Sequence, residues 1–345
     1  MKKCLLMVLL LSAALGQVVM AQLVGAVQEA PKYDLSSTVP LDKKLVKGRL
    51  PNGLTYYIRA NKKPENRVQF RLVTNAGSVL EDESQRGLAH FTEHMAFNGI
   101  KGYPHNELIS TLQKYGIEFG REINAYTSFD ETVYYVNLPS DDTAMLNMGY
   151  RILDGWSSGL LFDAQELEEE RGVIHEEWRG GQGAGERLRD KTWPIMLRGS
   201  QYAERMPIGL ERVIMGFKRD DIVRFYNDWY RTDLQAVVIV GDIDPVEVEA
   251  KIKEVFGGRA KVQNPKPRNT FDVPANKEPL IAIATDHEAT STSMVFYWKH
   301  GPIPQGTVVD YRTSLLYSFV VSMINDRVNE LCDKPESPMT GAGAG

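Results

Sequence analysis

The hydrophobic pattern of this chain keeps changing period, from two residues to about 3.6 and back, and that switching constrains its fold more than any other feature. Residues 54–60 and 68–74 are rich in β-branched and aromatic side chains and lie on either side of a polar turn at 61–66. Asn52-Gly53, just upstream, favours a tight hairpin turn. Residues 87–97 read as a helix ended by Asn98-Gly99, and 107–115 as another ended by Gly116. Residues 123–137 carry Thr, Tyr and Val at strand density and predict one or two antiparallel strands. Helices follow at 144–156 and 164–178, the second highly charged and broken by the glycine-rich stretch 180–185. A helix at 220–230 leads into a buried strand at 235–240, closed by Gly241-Asp242, and 245–256 is a further helix.

Strands interleaved with helices in this way predict an α+β domain over 45–258, a layered antiparallel sheet with packed helices. A Pro-, Asn- and Lys-rich connection at 259–279 precedes strands at 280–285 and 294–298 and a long helix at 308–331. Residues 280–345 thus read as the beginning of a second α+β domain, truncated at Gly341-Ala342-Gly343-Ala344-Gly345. With 345 residues, 43% hydrophobic and 25% charged, the chain has the composition of a globular protein of about two domains. Its net charge of −5 gives no footprint for nucleic acid, which calls for a basic patch.

The first residues have the pattern of an export signal rather than of a fold. Lys2 and Lys3 precede an apolar run at 5–15, and Val19-Met20-Ala21 offers small residues for cleavage after Ala21. Residues 1–21 are therefore read as a signal peptide and 22–44 as a leader. The mature chain should be periplasmic or secreted, with no stable membrane insertion. Of the two cysteines, Cys4 would leave with the signal and Cys332 would have no partner, so no internal disulfide is expected.

The chemistry is concentrated in Gly87-Leu88-Ala89-His90-Phe91-Thr92-Glu93-His94-Met95. On a helix, His90 and His94 lie about 40° apart, close enough for both imidazoles to reach one ion, and Glu93 lies about 60° to the other side of His90. Zinc takes imidazole nitrogen and carboxylate oxygen, and a catalytic zinc keeps one position open for water. A carboxylate that is not a ligand can take a proton from that water, and Glu93 has the position to do so. Two histidines need a third protein ligand, and the helix at 164–178 is dense in carboxylates. Residues seven apart share a face, so Glu169 with Glu176, or Glu170 with Glu177, would each give an inward-facing pair. Spacing alone does not choose between them. His175, His105, His287 and His300 read as surface or capping residues.

The motif Gly87 to Gly99, GLAHFTEHMAFNG, resembles the zinc motif of the insulinase/pitrilysin metallopeptidases, an inverted His-x-x-Glu-His arrangement. Asn124-Ala125-Tyr126-Thr127-Ser128 with Asp130 and Thr132, the segment from Glu170-Arg171 to Glu177, and Phe225-Tyr226 with Trp229-Tyr230 extend the likeness, most closely to the long periplasmic bacterial members. The resemblance implies one Zn2+ per chain held by His90, His94 and Glu177, with Glu93 as general base. It makes Glu170 a residue that orients a ligand, and it places Asn124 and Ala125 on an edge strand that binds peptide substrates. It also implies a partner, a homologous second half in a longer chain or a separate subunit. The alternative expectation is a non-catalytic fragment that binds zinc or a partner.

Overall fold

The computed structural model describes residues 34–345; the expected signal and the first part of the leader lie outside the described residues. One six-stranded sheet organises residues 42–299. Its strands are β1 (Leu45–Arg49), β2 (Thr55–Ala60), β3 (Arg67–Thr74), β4 (Ile123–Thr127), β5 (Thr132–Pro139) and β6 (Gln235–Gly241), in the spatial order β1-β2-β6-β3-β5-β4. β1 and β2 form a hairpin whose turn includes Gly53 at φ +100. β6, the last strand in the chain, inserts between β2 and β3, parallel to β2 and antiparallel to β3. The sheet is thus mixed rather than wholly antiparallel, because the long excursion between β5 and β6 returns the chain in the direction of β2.

In β2, β3, β5 and β6 the alternation of side chains buries one face, whereas the edge strands β1 and β4 bury little. On β3, Val68, Phe70, Leu72 and Thr74 are buried, while Arg67, Gln69 and Arg71 are exposed. The open face keeps long polar side chains, such as Arg71 with its guanidinium 5.5 Å from the Tyr135 ring centre, as expected of an antiparallel sheet covered on one side. The helices of this unit are α1 (Leu88–Met95), α2 (Glu107–Lys114), α3 (Thr143–Ser158), α4 (Ala164–Gly180), α5 (Ala184–Met196), α6 (Glu211–Ile214), α7 (Arg219–Trp229) and α8 (Pro245–Phe256), of which α1, α3 and α8 pack directly on the sheet. α3 starts on Asp142, whose side chain accepts from the Ala144 and Met145 N–H groups, and packs on β3 and β5. A Cβ at Gly149 would come within 2.6 Å of the Phe70 ring, so glycine there sets the closeness of α3 to β3. α5 was not evident in the sequence; it begins in the glycine-rich stretch and none of its residues is fully buried.

The strands expected at 280–285 and 294–298 do not form. Those segments make no ladder, and Ile281, Ile283 and Trp298 are 76%, 89% and 81% exposed. An alternating pattern yields a strand only when a neighbouring strand takes its backbone groups, and none is present here among the described residues. Residues 34–41 and 300–345 form a second unit built on α9 (Val308–Cys332). Thr307 caps α9 through its hydroxyl and the Asp310 N–H, and the Ser37 and Leu35 carbonyls accept from the Val308 and Val309 N–H groups. Cys332 is free, and no described helix is long and apolar enough to cross a membrane.

Phe70 is fully buried at the centre of β3 and meets Tyr150 edge-on, ring centres 5.2 Å apart. Phe70→Ala should lower the stability of this unit by about 3–5 kcal/mol in urea unfolding, from lost burial plus a cavity under α3.

Candidate metal centre

The site begins with a buried carboxylate. Glu81 is 2% exposed and accepts from the N–H of Gly87 at 3.0 Å and of Ala89 at 2.8 Å. Those are two of the free donors at the start of α1, so Glu81 fixes where the helix begins. Burial pushes the Glu81 carboxyl up to about 8, against the pull of those two N–H donors. The loop at 205–210 closes over the same point. Arg205 donates to the Glu81 carbonyl at 3.0 Å, and its own carbonyl accepts from the Ser78 hydroxyl at 2.6 Å. A Cβ at Gly209, which has φ +77, would lie 2.3 Å from the Gly87 Cα.

From that start α1 runs between β4, α4 and α7. Leu88, Phe91 and Met95 are fully buried, which turns His90, Glu93 and His94 towards the cleft. The two Nε2 atoms are 3.2 Å apart, with the rings at 83°. α4 supplies the third donor. Leu167, Arg171 and Ile174 are its buried residues, and the Arg171 guanidinium donates to the Phe217 carbonyl at 3.1 Å while stacking 4.3 Å from the Phe217 ring centre. This seam sets the helix rotation, and Glu170 and Glu177 share it.

Glu177 Oε1 is 3.7 Å from His90 Nε2, and Glu177 Oε2 is 3.5 Å from His94 Nε2. Ligand atoms of the three residues lie within 4.8 Å of one another. Tetrahedral zinc with bonds of about 2.0–2.2 Å separates its ligands by roughly 3.4 Å, so the donor set fits such an ion. Glu170 Oε1 lies 2.6 Å from His94 Nδ1, and its other oxygen accepts from the Asn98 side-chain amide. A proton on Nδ1 facing Glu170 leaves the Nε2 lone pair for a metal. His90 Nδ1 is buried and has no hydrogen-bond partner.

The charges are arranged unequally. Burial, with His94 as the next cause, pushes His90 down to about 4. Burial also pulls on His94, but the hydrogen bonds to Glu170 and Glu177 outweigh it and leave His94 raised to about 9. Without a cation the pair therefore carries one positive charge at neutral pH, on His94. Glu177 is held below the usual carboxylate range, chiefly by its bond to His94. Glu93 is raised by burial, and the Thr127 hydroxyl, 2.6 Å from its Oε2, opposes that rise.

β4 is the sheet edge beside this centre. The Glu122 carbonyl accepts from Asn137, and the Ser128 N–H donates to Glu131. Backbone groups alternate along a strand, so Asn124 and Tyr126 face β5, while the backbone groups of Ala125 and Thr127 face outward. The outward Ala125 N–H is met by the Asn124 side-chain oxygen at 2.9 Å. His90, Glu93, His94, Ala125, Tyr126, Thr127, Glu177, Pro207 and Ile208 line one cleft of about 400 Å³.

Of the expected site residues, His90, Glu93, His94, Glu177, Glu170 and Ala125 come together; Asn124 lies on the same edge with its backbone turned to β5. Glu176 pairs with Arg179 and Glu169 accepts from Gln165, both away from the cleft. His105 and His175 bond Glu166 and Glu211, and His287 and His300 are exposed. Glu81, Asn98 and the loop at 205–210 were missed. Only the Gly87 and Gly209 turns hinted at such a close approach.

The molecule has the architecture and donor set of an inverted-motif metallopeptidase domain. Residues 56–198 match the insulinase family (peptidase family M16), and residues 216–327 match the peptidase M16 inactive domain. The chain belongs to the insulinase family. It is 37% identical to a "Zinc protease PQQL-like" of Arabidopsis thaliana over 292 residues, 84% of this chain and 30% of that protein. It is 32% identical to the "Probable zinc protease PqqL" of Escherichia coli over 309 residues, 90% of this chain and 33% of that protein. The chain thus spans about a third of these relatives' length. The crystal structure of the first half of the periplasmic protease PqqL from Escherichia coli superposes with a TM-score of 0.77 at 31% identity, covering 90% of this chain and 66% of that one.

Two measurements probe the supports of the site. The unfolded chain ionises Glu81 near the ordinary 4.5, and the folded chain near about 8. Between those values only the folded state holds the proton, so this group's contribution to stability falls as pH rises and levels off above 8. Glu81→Gln should flatten the decline between pH 5 and 8 by a few kcal/mol in urea titrations; equal slopes in the two proteins would contradict it. Glu170→Ala should weaken zinc binding about 10- to 100-fold in chelator competition, with the fold intact by circular dichroism.

Proposed function

We propose that this chain carries the metal centre and substrate edge of a zinc-dependent peptidase acting on extracytoplasmic peptides or small unfolded proteins. The observation that carries the proposal is the convergence of His90, His94 and Glu177 within 4.8 Å, in one cleft with Glu93 and beside an open sheet edge. His90 and His94 donate Nε2 and Glu177 its carboxylate to one zinc. Zinc, when bound, supplies the positive charge that makes water acidic near neutral pH and polarises a carbonyl. Glu93 receives the proton from the attacking water and passes it to the leaving amine. Its Oε2 is engaged by Thr127, which leaves Oε1 for that transfer. Glu170 holds the His94 ring.

An extended peptide adds to β4 as a further strand, using the outward Ala125 N–H and carbonyl. Such main-chain pairing accepts many sequences. The Asn124 side chain, now against the Ala125 N–H, swings aside or shares that donor. The signal-like pattern at 1–21 and the periplasmic setting of the E. coli structural relative support an exported protein. The fraction of its relatives that the chain spans supports a homologous second half as its partner.

Metal content and quenched-peptide hydrolysis on one sample, beside Glu93→Gln, test this. The expected result is one zinc per chain in both proteins and hydrolysis reduced at least about 100-fold by the substitution. Undiminished hydrolysis by Glu93→Gln would remove the mechanism. Zinc without hydrolysis in the unsubstituted chain would instead favour a non-catalytic metal-binding role.

A further inference from the structure

Glu93 is 7% exposed, at the bottom of the cleft. A carboxylate on a helix rotates freely about its terminal torsion unless something holds it. Among the described residues, the group that holds it is the Thr127 hydroxyl, which donates to Oε2 at 2.6 Å. A hydroxyl has a single proton to give, so this bond assigns the two carboxylate oxygens different tasks. Thr127 is also the last residue of β4, opposite Thr132 of β5, at a position whose backbone groups face the open edge. Its side chain therefore reaches Glu93 while its main chain lies where an added strand would run.

We propose that Thr127 is a positioning residue for Glu93, aiming Oε1 at the attacking water and tying that aim to the strand on which the peptide docks. This rests on the peptidase reading above. Removing the hydroxyl leaves the metal ligands and the outward backbone of β4 in place, so it should cost turnover rather than binding.

The test compares Thr127→Val, which keeps the branched shape without the donor, with Thr127→Ser, which keeps the donor, using zinc-loaded protein. Thr127→Val should lower kcat about 10- to 100-fold, with KM within about twofold and one zinc per chain. Its crystal structure should show the Glu93 carboxylate turned away while both imidazoles stay in place. Thr127→Ser should restore kcat and the carboxylate position. A Thr127→Val protein with undiminished kcat, or with Glu93 unmoved, overturns the proposal. If the unsubstituted chain hydrolyses nothing, the peptidase reading fails by itself, and the position of Glu93 in the Thr127→Val crystals still decides the role of Thr127.

Discussion

The site depends on how a short helix is started. α1 has eight residues, too few to be stable by its own hydrogen bonds, and it carries three polar groups, His90, Glu93 and His94, on the side that lines the cleft. Glu81 takes the load at one end by accepting two of its free N–H groups. Trp156 does so at the other, donating from its indole to the Ala96 carbonyl at 3.0 Å. Phe91 and Met95 lock the rotation between those two points. A shift of Glu81 would tilt His90, Glu93 and His94 together.

The electrostatics follow from the same enclosure. Two imidazoles this close cannot both be charged, and burial decides that His90 gives way. The carboxylates on α4 favour positive charge at the centre, either the proton on His94 or a cation in its place. Metal binding at such a site releases a proton. The negative charge is divided between Glu177, half exposed and facing the open cleft, and Glu170, held by the His94 ring and Asn98.

Much of this was legible in the sequence, and the failures have physical causes. Strands β2, β3 and β6 and most of the helices follow from periodicity, because each of these elements buries one face of its own; 123–137 read only as one or two strands, and β1, which buries no residue fully, was signalled only by the Asn52-Gly53 turn. The His90–His94 pair was visible because it is local. The register of α4 was left open by carboxylate spacing, yet Leu167 and Ile174 contain the answer: the apolar pair seven apart marks the buried seam, and Glu170 and Glu177 each follow one of its members by three residues. α5 was invisible because it buries no residue fully, and β6 gave no hint that it inserts between β2 and β3, since pairing order is not a local property. The strands expected at 280–298 show the converse, a strand pattern without a neighbour to complete it. Glu81 could not be found because an acidic residue six positions before a glycine has no signature; only the fold brings it to the helix.

β4 presents outward-facing backbone groups at Ala125 and Thr127 and inward-facing ones at Asn124 and Tyr126, while the outward groups of Ile123 are taken by Glu118 and Gly120. An antiparallel ladder repeats every two residues, so a chain laid on this edge meets the same donors and acceptors only after moving by two. A slip of one would turn each of its side chains to the opposite face. The edge therefore acts as a ruler graduated in dipeptides, blind to side-chain identity but strict about parity.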